Sequence, residues 1–64
     1  MPVVNVNVWE GFGKKKAEAV IKGITKVFVD LDIPDYAVEV LVNEIPKTHW
    51  GIEGITASEK FKDM

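Results

Sequence analysis

The spacing of apolar side chains changes twice along this chain, from every second residue to a helical repeat and back again, and few folds accommodate that order. Val4, Val6 and Val8 alternate with Asn5 and Asn7, the pattern of a strand with one buried face. Val3 and Trp9 fall on the asparagine side, so that face is mixed and suited to meeting a partner. Glu10-Gly11-Phe12-Gly13 follows, its two glycines marking a turn. From Lys14 onward, Ala17, Val20, Ile21, Ile24, Val27, Phe28 and Leu31 line one helix face, with Lys15, Glu18, Lys22 and Lys26 mostly opposite. Gly13 is an acceptable N-cap, and Asp32-Ile33-Pro34-Asp35 ends the helix because the residue before a proline avoids helical geometry. Val38 to Glu44 then alternates again, with Val38, Val40 and Val42 on one face and Glu39, Leu41 and Asn43 on the other.

Strand, helix and strand in that order predict an α/β chain: a βαβ unit with two parallel strands and one long helix. Residues 45–64 carry Gly51, Gly54 and a charged end, which predicts a loop with a short strand or hairpin and then a frayed tail. The 64 residues form a single domain, 1–64, that buries only about 60% of its unfolded surface. Two strands under one helix leave an open sheet face and two open edges, with Val3, Trp9 and Leu41 wet in a monomer. Assembly between copies removes both problems. No cysteine is present to staple the chain by disulfides or thiolate metal sites, and His49 alone cannot make a structural zinc site.

A net charge of −2 gives no electrostatic footprint for nucleic acid or an anionic membrane. Away from the chain ends, apolar runs reach only three residues, far short of a membrane span or signal peptide. The expectation is a small soluble, cytoplasmic protein. All eight cations are lysines, so the planar guanidinium fork that clamps carboxylates is missing.

Pro2 directly follows Met1. A small second residue generally lets the initiator methionine be removed, exposing a secondary amine that no internal residue has. Beside apolar walls its protonated form is disfavoured, and it can then serve as a general base. The plainer reading is a proline tolerated at the start of a strand.

Met1-Pro2 leading into an alternating strand, Glu10-Gly11 closing it, one amphipathic helix, a second strand and Glu44-Ile45-Pro46-Lys47-Thr48-His49-Trp50-Gly51-Ile52-Glu53-Gly54 together resemble the 4-oxalocrotonate tautomerase family. The resemblance covers essentially the whole chain. It implies a four-stranded dimer and most often a hexamer built as a trimer of dimers, a homohexamer or a mixed heterohexamer. It also implies enol–keto proton transfer on a small-molecule substrate without metal or organic cofactor. Pro2 matches the family's catalytic base. Trp50 falls where the family carries an aromatic wall, and the alternative for it is packing at a subunit contact.

The departures bear on substrate. The family's two dicarboxylate-binding arginines fall here on Phe12, in a turn one residue shorter, and on Glu39. Glu39 either pairs with a lysine on the surface or lines an altered pocket. Lys14-Lys15-Lys16 is the candidate substitute anion site, with Lys14 first in line, or else a solvated charge run. These substitutions predict weak activity on dicarboxylates and better activity on monocarboxylate or aromatic enols. The water-adding relatives, the 3-chloroacrylic acid dehalogenases, carry a glutamate one residue from Glu53, at the position of Ile52. His49 and Tyr36 read as loop residues. The competing reading is a partner-dependent or non-catalytic subunit of the same fold.

Overall fold

The computed structural model describes residues 1–62. Strand β1 (Val3–Trp9) is followed by helix α1 (Lys14–Val29), a 3₁₀ turn (Asp35–Ala37) and strand β2 (Glu39–Ile45). A second 3₁₀ turn (Lys47–His49), a hairpin of β3 (Gly51–Ile52) and β4 (Ile55–Thr56), and a helical turn α2 (Ala57–Lys60) complete it. β1 and β2 are parallel from Val3↔Glu39 to Trp9↔Ile45, as the βαβ order requires. That register places Val4 beside Val40 and Val6 beside Val42 on one face. Asn7 and Asn43 meet on the other, where Asn43 Nδ2 donates to Asn7 Oδ1 at 3.2 Å. Glu10 N–H extends the ladder by donating to Ile45 C=O at 2.9 Å.

Gly11 and Gly13 take φ of 97° and 87°, so both glycines of the turn after β1 occupy conformations that side chains disfavour. Glu44 fixes this turn from the neighbouring strand, its Oε1 accepting from Gly11 N–H at 2.9 Å. Gly13 is the N-cap of α1, as expected, and contributes no side-chain cap.

Helix α1 stops earlier than its apolar stripe predicts. The Ile33 N–H donates to Phe28 C=O at 3.1 Å and Asp32 N–H to Val29 C=O at 3.0 Å, a Schellman-type ending with Asp32 at φ 69°. Leu31 therefore lies beyond the helix and is 65% exposed. Ala17, Val20, Ile24 and Phe28 are half-buried, whereas Ile21 and Val27, at the margins of the stripe, stay exposed. A two-stranded sheet is narrower than the stripe and covers only its centre.

The hairpin expected within residues 45–64 forms, whereas the charged end after it, expected to fray, is folded through α2 and Phe61. Glu53 and Gly54 carry φ of 55° and 84°, the double positive φ of a two-residue hairpin turn. Thr56 caps α2 by accepting from Glu59 N–H at 3.3 Å, and Ala57 is fully buried. Phe61 then packs on Trp9 with ring centroids 5.5 Å apart, which anchors the segment to the sheet. Asp63 and Met64, also assigned to the frayed end, lie outside the described residues.

The chain does not close around a core of its own. Among the described hydrophobic residues only Ala37 and Ala57 are buried, and Val3 and Leu41 are 54% and 44% exposed on the open sheet face. The accessible surface is 4909 Å². A compact 7.1 kDa monomer would show roughly 4,100 Å². The extents of 43 × 23 × 13 Å describe a slab one helix and one sheet thick. Oligomer formation is thus written into the protomer. Leu41→Lys should shift the protein toward smaller species in analytical ultracentrifugation, and an unchanged mass distribution would mean that this face is not the contact.

Candidate active site

Pro2 stands at the head of β1, half-buried, and its C=O accepts from Glu39 N–H at 3.0 Å. Met1, peptide-bonded to the Pro2 nitrogen, is 87% exposed. Glu39 begins β2 beside Val3, with its side chain exposed and no lysine within ion-pair distance among the described residues. The lysine-paired surface reading of Glu39 is therefore not what this protomer shows.

Trp50 and Phe12 lie at the other end of the sheet. They line an open cleft of about 450 Å³ together with Val8, Trp9, Glu10 and Lys47. Seven residue steps of about 3.3 Å separate Pro2 from Trp9 along β1, roughly 23 Å. A single protomer consequently brings Trp50 and Phe12 together and keeps Pro2 and Glu39 apart from them. Lys14 does not line the cleft and reaches toward Glu18 at 3.9 Å, an exposed pair. Of the lysine run, Lys16 comes nearest, its Nζ 5.8 Å from the Phe12 ring centroid.

The cleft is organised around Trp9. Trp50 meets it edge to face at 6.2 Å and 79°, Phe61 supports it at 5.5 Å, and the Lys47 ammonium lies 4.7 Å from its ring centroid. Trp9 Nε1 is buried without an acceptor among the described residues. One short turn positions both Lys47 and Trp50: His49 N–H donates to Pro46 C=O at 2.9 Å and Trp50 N–H to Lys47 C=O at 3.3 Å. Ala57 N–H then donates to Trp50 C=O at 2.7 Å and ties the turn to α2.

Sequence reasoning assigned no site role to Trp9, Lys47, Val8 or Glu10. The signal for Trp9 was its place at the end of β1, next to the turn that carries Phe12. The signal for Lys47 was the proline before it, which starts the turn leading to Trp50. Glu53 sits in the tip of the hairpin turn and forms an ion pair with Lys60, an arrangement that holds the carboxylate on a structural partner. His49 is exposed, its Nδ1 2.9 Å from Thr48 Oγ1, and Tyr36 is exposed.

A parallel βαβ slab with a proline at its head, an aromatic cleft at its far end and an uncovered sheet face defines a small assembling protomer of the tautomerase type. Residues 2–59 match the family model described as tautomerase enzyme, and the chain belongs to that family. It is 33% identical over 60 residues to a 2-hydroxymuconate tautomerase of Comamonas testosteroni, covering 92% of this chain and 95% of that one. Among solved structures it resembles TomN, a 4-oxalocrotonate tautomerase homologue of the tomaymycin biosynthetic pathway, with TM-score 0.90, 27% identity and 97% of each chain covered. It also shares its fold with a heterohexamer 4-oxalocrotonate tautomerase from Chloroflexus aurantiacus J-10-fl, at TM-score 0.82 and 23% identity over 92% of this chain and 97% of that one. Family membership supports an isomerase-type activity.

Phe61→Ala should lower stability by roughly 1–2 kcal/mol, less than the roughly 3–5 of a fully buried ring, because Phe61 is half-buried. It should also loosen the Trp9 wall. Denaturant melts and a red shift of tryptophan emission check this, and an unmoved midpoint would mean that α2 does not anchor the cleft.

Proposed function

We propose that this chain is a tautomerase acting on a small 2-hydroxydienoate or 2-oxo acid, with the Pro2 nitrogen as general base and then acid once Met1 is removed. The observation that carries the reading is how Pro2 is held. Its tie to β2 runs through its carbonyl, which accepts from Glu39 N–H, and a proline nitrogen within the chain has no N–H to give a ladder. Releasing an exposed Met1 therefore frees a secondary amine without breaking a backbone hydrogen bond of the sheet.

The chemistry needs only that amine. It accepts the proton of an enol hydroxyl, the electron pair moves from oxygen through the double bond, and the resulting ammonium returns the proton at carbon. Starting instead from an α-carbon proton gives the reverse direction or a double-bond shift. Apolar surroundings lower an amine's affinity for its proton, and a base poised near the working pH is the most effective.

Because Pro2 and Glu39 stand at one end of the slab and Trp50 and Phe12 at the other, a site holding all four is built from more than one protomer. A homohexamer arranged as a trimer of dimers supplies such neighbours. With no arginine in the chain, and with Phe12 and Glu39 at the positions the family uses to grip two carboxylates, dicarboxylate dienols should turn over poorly.

The test is ultraviolet-monitored ketonisation of the phenylpyruvate enol by protein shown by intact mass to lack Met1. Pro2→Ala should remove the rate above buffer, and an unaffected rate would overturn the mechanism. Arginine placed at both positions, Phe12→Arg with Glu39→Arg, should raise dicarboxylate turnover relative to the wild type. No gain would mean that these positions do not face the substrate.

A second reading is favoured by the missing arginines: a subunit of a mixed hexamer that draws them from another chain. A purified homo-oligomer that is active alone would exclude it. Inactivity that a co-expressed homologous chain repairs would establish it.

A further inference from the structure

We infer that Glu44 is a positioning residue for the cleft: its carboxylate holds the turn that carries Phe12, and so fixes one aromatic wall and the affinity for whatever packs against it. The inference rests on the tautomerase reading for the ligand's role as substrate, whereas the placement of Phe12 is measurable without turnover.

Glu44 breaks the pattern of its strand. Val40 and Val42 put apolar side chains on the helix face of the sheet, and the next position on that face is a carboxylate. The register pairs it with Val8, a residue of the cleft. At this end of the sheet the chain turns from β1 into α1, and a backbone donor is there for the anion to meet. Past Glu10 N–H the strand ladder stops, and Gly11 N–H donates instead to Glu44 Oε1 at 2.9 Å. A hydrogen bond to an ionised acceptor is roughly twice as strong as a neutral one.

Little else holds the turn. Phe12 stands between two glycines at φ 97° and 87°, residues whose backbone freedom is widest. A side chain at Gly11 would start in open space, so packing does not confine that part of the loop. Lys16 approaches the Phe12 ring at 5.8 Å, but from the first turn of the helix that follows, so that contact travels with the loop. Among the described residues Glu44 is the side chain that ties this segment to β2. Phe12 is half-buried and lines the cleft with Trp9 and Trp50. Releasing Gly11 N–H thus lets one wall swing away while Trp9 and Trp50 keep each other in place. Glu44 lies at the opposite end of the sheet from Pro2, so its loss falls on binding and not on proton transfer.

The chain has three phenylalanines, Phe12, Phe28 and Phe61, and 4-fluorophenylalanine reports each by fluorine NMR in the assembled, Met1-free protein. Phe12→Leu, Phe28→Leu and Phe61→Leu assign the signals. Glu44→Ala should move the Phe12 signal toward that of the free amino acid and leave the Phe28 signal in place. Glu44→Gln, whose amide oxygen still accepts, should return it to the parent position. In ketonisation of the phenylpyruvate enol, Glu44→Ala should raise KM about fivefold with kcat within about twofold, and Glu44→Gln should restore KM. Phe12→Ala combined with Glu44→Ala should have the KM of Phe12→Ala alone, because the two act through one wall. An unmoved Phe12 signal, an unchanged KM in Glu44→Ala, or losses that multiply in the double variant would overturn the assignment. A Met1-free parent without ketonisation would instead remove the tautomerase reading, and the fluorine signal would then decide Glu44's role by itself.

Discussion

A helix laid on two strands is too little structure to cover itself, and the other features of this protomer answer to that shortage of area. The sheet is narrower than the apolar stripe of α1, so Ile21 and Val27 remain exposed at its margins. Among the described residues its second face is covered only at the Trp9 end, by Phe61 and Trp50, which leaves Val3 and Leu41 wet around a polar centre of Asn5, Asn7 and Asn43. Hydrophobic burial contributes about 25 cal/mol per Å² removed from water, and only a partner surface can provide the area this slab lacks. Assembly is thus the way this chain covers the apolar surface that its own fold leaves open.

Trp9 links fold to site. It ends β1 on the open face, and Phe61, Trp50 and Lys47 all gather on its ring. Without that ring, the hairpin and α2 would be held mainly by short-range turns, since β3 and β4 are two residues each. The segment that folds the C-terminal third onto the sheet also shapes the cleft, so the packing of that segment and the form of the cleft are coupled at one residue. At the other end of β1 the constraint is different. Pro2 contributes its carbonyl to the sheet, and its nitrogen takes no part in the ladder.

The elements and their order were legible because period-two and helical spacing are physically exclusive. The valines of β1 and β2 and the start of α1 at Lys14 follow directly. The end of α1 was not legible, because a left-handed Asp32 is a poorer signal than the glycine that usually takes that position. The ordered tail was missed for a similar reason. Its stability comes from Thr56 as a cap, buried Ala57 and a ring contact from Phe61 to Trp9, fifty-two positions away in the chain, which no local pattern reports. Of the candidate residues, Pro2 and Trp50 were named from the motifs around them, and Trp50 lines the cleft. Lys47 was not, since a lysine in a loop looks like any solvated charge until the ring beneath it is seen.

The central claim is that the Pro2 nitrogen carries the proton, and nitrogen-15 NMR of Met1-free, proline-labelled protein tests it most directly. The Pro2 resonance would be followed across roughly pH 4 to 10 and set beside the pH dependence of kcat/KM for enol ketonisation, which reports the free enzyme's essential base. The account predicts that the amine loses its proton with the same midpoint as the rising limb of activity, and that protein retaining Met1 is silent. Activity that rises while Pro2 remains fully protonated, or that persists with Met1 attached, would contradict it.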